Sequence, residues 1–326
     1  MSSKLILHIL FILALFSLSL HANSVLTDYR QNGVDGLEKK MDLELTKVEY
    51  WNNFLENVDT SFGYLESYNS ILTCDKEKST LSLFKHNTEK KFTQLEEYSA
   101  FTGKVKGDKI KEGDLKTPVG IYNLEKKISK LDSFYGPLAF VTNYPNTYDK
   151  FRGKNGSGIW IHGLPTEQER DDYTKGCIAI NNDNIVCLDK EVHINSTVLI
   201  INPDKKRIEV EKKVFAKILA NLYEWRYSWL YNDTQKYLSF YAENFMRYDG
   251  MKYDRFVKYK TRIFKKKERK KILFNDINVI AYPNAKNIFQ ITFKEFYTSN
   301  SFKFEGNKVL MVQVDSNNNF KILTEK

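Results

Sequence analysis

Gly158-Ile159-Trp160-Ile161-His162-Gly163 and Thr174-Lys175-Gly176-Cys177-Ile178-Ala179-Ile180 are the two stretches on which the reading of this chain turns. Each is short, rich in β-branched residues and bounded by glycine, which predicts a strand. On a strand Trp160 and His162 share one face, and Cys177 shares its face with Ala179 while Ile178 and Ile180 point the other way. Gly176 allows a sharp turn before the sulfur and leaves backbone N–H groups open there to receive an oxyanion. Lys175 adds positive charge that favours a thiolate. A nucleophilic cysteine needs a base, usually histidine, whose tautomer a backbone carbonyl can fix. A lone cysteine is more often a small buried hydrophobe, so spacing alone does not decide between the two.

The chain has three cysteines, Cys74, Cys177 and Cys187. An odd number leaves at least one unpaired or bonded to another molecule. Cys187, within Ile185-Val186-Cys187-Leu188, reads as an unpaired core residue. Cys74 stays open between buried, exposed and paired with Cys187. Of five histidines, His8 and His21 lie in the leading segment, so His86, His162 and His193 are the candidate bases.

Working outward, Thr80–Phe84, Gly120–Leu124, Leu138–Val141 and Thr197–Ile201 also read as short strands broken by Gly, Pro and Asn. Residues 79–204 are therefore an all-β domain, sandwich or barrel. Before it, Leu37, Met41, Leu45, Val48, Trp51 and Leu55 recur at steps of three and four, and Phe62, Leu65, Tyr68 and Leu72 continue the spacing. Residues 23–78 are expected to form a helical unit, either a hairpin packed on the next domain or a homodimerisation arm. After the β domain, Val214–Tyr231 and Tyr237–Phe245 have helical spacing, and Val279–Tyr282, Ile288–Phe296 and Val309–Val314 read as strands. Residues 205–326 are thus an α+β domain.

Residues 1–22 stand apart. Lys4 precedes an apolar run from Leu5 to Leu20, then Ala22 and polar Asn23 and Ser24. That is the pattern of a cleaved secretory signal peptide, with an uncleaved anchor as the alternative. The expected location is periplasmic. Charge is localised: residues 247–271 hold 12 Lys or Arg against 3 acids, an excess equal to the formal +9 of the whole chain. In an exported protein nucleic acid is a poor partner for such a stretch. An anionic envelope surface, membrane or wall peptide, fits better, and a solvated helix face and loop is the alternative.

His162-Gly163, then Gly176-Cys177-Ile178, then Asn181, Asp183 and Leu188, together with Thr117-Pro118-Val119-Gly120-Ile121-Tyr122 upstream, resemble the YkuD-type L,D-transpeptidase domain over about residues 79–203. The resemblance implies a β-sandwich. Cys177 would be the nucleophile and His162 the general base, held by the Gly163 carbonyl. The N–H groups of Gly176 and Cys177 would form part of the oxyanion hole. Thr174, Lys175 and Trp160 would line the substrate site. The substrate would be the tetrapeptide stem of peptidoglycan, cut between diaminopimelate and D-Ala, with no cofactor and no metal. Thr174 stands where the family has Ser, and Ala179 where it has Arg. Loss of that guanidinium removes a fixed charge and several donors. Trp225, Trp229 and Tyr237-Leu238-Ser239-Phe240-Tyr241 resemble the start of a nuclear-transport-factor-like domain. The whole layout is similar to the cell-shape-determining L,D-carboxypeptidases of helical bacteria. It implies trimming of tetrapeptides to tripeptides by water, with transpeptidation as the alternative and a non-catalytic wall-binding scaffold as the third reading.

Overall fold

The computed structural model describes residues 25–167, 171–204 and 207–326, so the expected signal peptide lies outside the described residues. Among the described residues no helix is long and apolar enough to cross a membrane. The described residues open with a helix over residues 25–44 (α1) and a second, α2 (Val48–Leu55). The helical reading fails beyond residue 55. Gly63, at φ +122°, brings the chain so close to the C-terminal sheet that a Cβ there would lie 2.3 Å from the Val279 carbonyl oxygen. Tyr64–Leu65 (β1) then joins that sheet, and Ser70–Asp75 (β2) joins the β domain. The catalytic unit therefore begins near Ser70, not at residue 79.

The β domain continues through β3 (Thr80–His86), β4 (Phe92–Phe101), β5 (Gly120–Ile128), β6 (Ala139–Thr142), a short α3 (Thr147–Phe151), β7 (Trp160–His162), β8 (Ile178–Ile180), α4 (Asn182–Glu191) and β9 (Thr197–Asn202). Its two sheets share β4 and β5, so the expected sandwich closes into a ring in the order β2-β3-β4-β8-β7-β6-β5-β9. Leu72, Leu83, Phe140, Ile161, Ile178 and Leu199 fill the interior, and Ile185 and Leu188 of α4 complete it.

The last domain contains α5 (Lys212–Leu230), α6 (Thr234–Ser239), α7 (Tyr253–Phe264), β10 (Lys270–Ala281), β11 (Ile288–Ser299), β12 (Lys303–Val314) and β13 (Phe320–Glu325). Its sheet runs β1-β10-β11-β12-β13, all antiparallel. The second helix expected over Tyr237–Phe245 ends at Ser239, and its aromatic residues Phe240, Tyr241 and Phe245 enter the core from turns. α5 lays Phe215, Leu219, Leu222 and Trp225 on the sheet, and Trp51 and Leu55 of α2 join this core. Arg226 ties α1 down through an Asp42 carboxylate at 2.7 Å. The two large domains are welded by a third core, in which Ile71, Ile121, Val198 and Ile200 meet Ile280, Tyr282, Ile288 and Met311. Asn146 donates to the Tyr282 hydroxyl at 2.9 Å across this seam, and the Tyr148 ring stands edge-on to Tyr282. Each fully buried aliphatic side chain contributes about 1.5–3 kcal/mol, so the domains form one body.

Candidate active site

β7 and β8 are parallel, with Ile161 opposite Ile178 and His162 opposite Ala179. One step back, Trp160 stands beside Cys177. Because the isoleucines fill the ring interior, Trp160, His162, Cys177 and Ala179 share its outer face. His162 lies between Ala139 and Ala179, two small neighbours that leave room for the imidazole. Its Nδ1 is 2.6 Å from the Gly163 carbonyl oxygen. The loop that supplies this carbonyl is clasped: the Leu164 N–H donates to Asn182 Oδ1 at 2.7 Å, and Gly163 packs against Gly136 so tightly that a Cβ on Gly163 would meet Asn182 Oδ1 at 2.4 Å.

Gly176 sits at φ +137°, a conformation that favours glycine, and a Cβ there would be 2.9 Å from the Lys116 carbonyl oxygen. Its N–H donates to the Thr174 hydroxyl at 3.0 Å, and that hydroxyl donates to the Cys177 carbonyl at 2.7 Å. The Gly176 N–H is thus engaged within the turn, contrary to its expected place in an oxyanion hole, which leaves the Cys177 N–H as the candidate donor. The thiol lies 3.3 Å from the Gly158 carbonyl oxygen. Burial pushes it up to about 11, against a backbone hydrogen bond from Trp160 and the charge of Lys109. The expected cation, Lys175, is exposed to solvent. Lys109 is the ammonium whose charge acts on the sulfur, itself buried and paired with Asp114 at 2.8 Å. Burial works against ionisation of Asp114, but Lys109 and the N–H groups of Ile110, Lys111 and Lys116 hold its carboxyl below the usual range.

Tyr135 was not legible in the sequence as a site residue. It arrives on a short turn of helix, Ser133–Tyr135, and its ring stands 5.1 Å from both Trp160 and His162, edge-on to the imidazole. Burial, then the neighbouring Cys177, raises its hydroxyl above the ordinary tyrosine value. Of the other cysteines, Cys74 is buried and Cys187 is exposed, and neither is bonded. Cys187 was expected in the core. On α4 the inward positions are Ile185 and Leu188, three apart, which turns Cys187 outward.

This arrangement agrees with comparisons to known proteins. Residues 69–200 match the model of the L,D-transpeptidase catalytic domain, and residues 217–326 match that of the Cds6 C-terminal NTF2-like domain. The crystal structure of the helical cell shape determining protein Pgp2 from Campylobacter jejuni superposes with a TM-score of 0.79 at 39% identity, covering 86% of this chain and 99% of Pgp2. The chain belongs to the YkuD-type L,D-transpeptidase family. Bd1075 of Bdellovibrio bacteriovorus is similar at 28% identity and a TM-score of 0.65, covering 82% of this chain and 97% of that one. The "Putative L,D-transpeptidase YafK" of Escherichia coli K12 is 33% identical over 112 residues, which are 34% of this chain and 42% of YafK, so the match spans under half of that relative. The position opposite His162 is Ala179. It is fully buried, between Phe101 on β4 and His162 on β7.

Proposed function

We propose that this protein is an exported, periplasmic L,D-carboxypeptidase that trims peptidoglycan tetrapeptide stems to tripeptides and thereby affects cell shape. The observation that carries this reading is the parallel register of β7 and β8, which sets Cys177 and His162 on one face beside a half-open row of side chains. With Nδ1 donating to the Gly163 carbonyl, Nε2 is the nitrogen that takes the thiol proton. Because burial keeps the resting sulfur protonated, proton removal accompanies attack, and His162 acts as a general base in that step. The sulfur adds to the carbonyl that joins the L-centre of diaminopimelate to D-Ala. The Cys177 N–H receives the oxyanion, and His162 returns its proton to the departing amine of D-Ala. Water, activated by the same imidazole, then cleaves the thioester and restores the thiol.

Transpeptidation uses the same acyl-enzyme but must orient a second amine. One feature favours water: no guanidinium stands at buried Ala179. The names of relatives bear on both readings, Pgp2 on cell shape and YafK on transpeptidation. Incubating the purified protein with disaccharide tetrapeptide and an excess of acceptor, then weighing products by mass spectrometry, tests the choice. Tripeptide plus free D-Ala is expected. Cross-linked dimer as the main product would make the protein a transpeptidase, and no product at all would favour a wall-binding scaffold.

A further inference from the structure

The strand register carries the catalytic face well beyond Cys177. Trp160, beside Cys177, pairs with Val141 on β6, and Val141 pairs with Lys126 on β5. Cys177, Trp160, Val141 and Lys126 therefore form one row across four strands. The row stays open along its length: Cys177, Trp160 and Val141 are half-buried and Lys126 is exposed. In the parallel row Ala179, His162 and Ala139 are buried, and only Ile128 at its end is half-buried.

The orientation of Lys126 is fixed by its neighbours. Lys127, the next residue, turns to the other side and pairs with Asp189 of α4 at 2.9 Å. A register shift between Leu124 and Lys126 inserts Glu125 as an extra residue, and Glu125 lines the clefts between the two domains, which Lys126 does not. Among the described residues Lys126 forms no ion pair. An exposed ammonium at the end of an open row leading from a nucleophile is placed to meet a negative charge on the substrate.

Strands lie about 4.8 Å apart, so the Lys126 backbone is about 14 Å from Cys177. A peptide advances about 3.3–3.6 Å per residue. With its side chain reaching back along the row, Lys126 meets a group two to three residues from the bond being cut. In a peptidoglycan stem, that distance upstream of the diaminopimelate carbonyl reaches the free α-carboxylate of the γ-linked D-Glu. We propose that Lys126 is a specificity-determining residue that receives this carboxylate, so that the stem lies along the Cys177–Trp160–Val141–Lys126 row. The inference rests on the peptidoglycan reading above.

The test uses the full chain and two tetrapeptide muropeptides, one with the D-Glu α-carboxylate free and one with it amidated. Wild-type enzyme is expected to prefer the free acid by about tenfold in kcat/KM, chiefly through KM, as for an exposed charge-assisted contact. Lys126→Gln should lose that preference, falling about tenfold on the acid and staying unchanged on the amide, while Lys126→Arg should restore most of it. Equal loss on both substrates, or no loss on either, would overturn the subsite. If wild-type enzyme releases D-Ala from neither form, the peptidoglycan reading itself fails and takes the subsite with it. A melting temperature within a degree of wild type for both variants separates the effect from a change in folding.

Discussion

At the scale of single residues, the site is a thiol kept neutral by burial beside an imidazole kept in one tautomer by a carbonyl. Cys177→Ala should abolish D-Ala release without unfolding the protein, whereas Cys187→Ala, which alters an exposed helix position, should retain most activity. His162→Ala should lose at least about 100-fold at neutral pH, the usual worth of a general base. Its residual rate should then climb about tenfold per pH unit, following the thiolate fraction, and level off only near the value of about 11 to which burial pushes Cys177. A flat pH–rate profile for this variant would remove His162 from the role of base. The shared face of Cys177 and His162 was legible because alternation along a strand is local: His162 ends β7, and Cys177 immediately precedes β8. Lys109 and Tyr135 were not. Lys109 bears on the sulfur from a loop and Tyr135 stands against the imidazole from a short helical turn, and no periodicity in a sequence records where such connections close. Lys175, two residues from the sulfur, carries its side chain in solvent beside the turn at Gly176.

At the scale of elements, the clasp formed by Gly136, Gly163 and Asn182 holds the carbonyl that orients His162. A Cβ on Gly163 would lie 2.4 Å from Asn182 Oδ1 and 2.8 Å from Pro137 Cδ, so the loop must move to admit it. Gly163→Ala should cost about 100-fold in kcat, the scale expected when a catalytic group shifts by about 1 Å. Cys177 should remain open to alkylation in this variant. Unchanged turnover by Gly163→Ala would show that the Gly163 carbonyl is not what sets the imidazole. The sequence revealed most of the strands and missed where the helical arm stops. Phe62, Leu65, Tyr68 and Leu72 are spaced like a helix stripe but serve different cores, Tyr68 in the seam between domains and Leu72 inside the ring. Their spacing is a coincidence of two strands meeting different partners, which only tertiary pairing separates. α4 escaped notice because a helix that caps a ring needs just two or three apolar positions.

At the scale of the molecule, charge and topology set how the enzyme meets its polymeric surroundings. The basic stretch is mostly a surface feature: Arg255, Lys258, Arg262 and the turn Lys265–Lys267 are exposed, while Lys260 turns in over the Trp229 ring at 4.8 Å and Lys270 is buried. Changing Lys265, Lys266, Lys267 and Lys271 together to Gln should leave hydrolysis of small soluble muropeptides unchanged. It should weaken retention on sacculi or anionic vesicles, most at low salt, because exposed charges are screened over about 10 Å at 0.1 M. Equal retention across a salt series would return the stretch to a solvated surface. Domain classes were readable from composition shifts along the chain, but their interweaving was not, since two residues of β1 carry almost no signal of their own. That interweaving has a consequence for biogenesis. Trp51, Leu55 and Tyr64 emerge early from the ribosome, yet the surfaces they bury against, Phe215 to Val279, follow more than 150 residues later. The growing chain must carry a greasy, unpartnered leading segment through the whole synthesis of the ring, and the C-terminal domain completes its core only afterwards. Neither domain can be exchanged in evolution by a single crossover, because the C-terminal sheet keeps one of its strands on the far side of the catalytic gene segment.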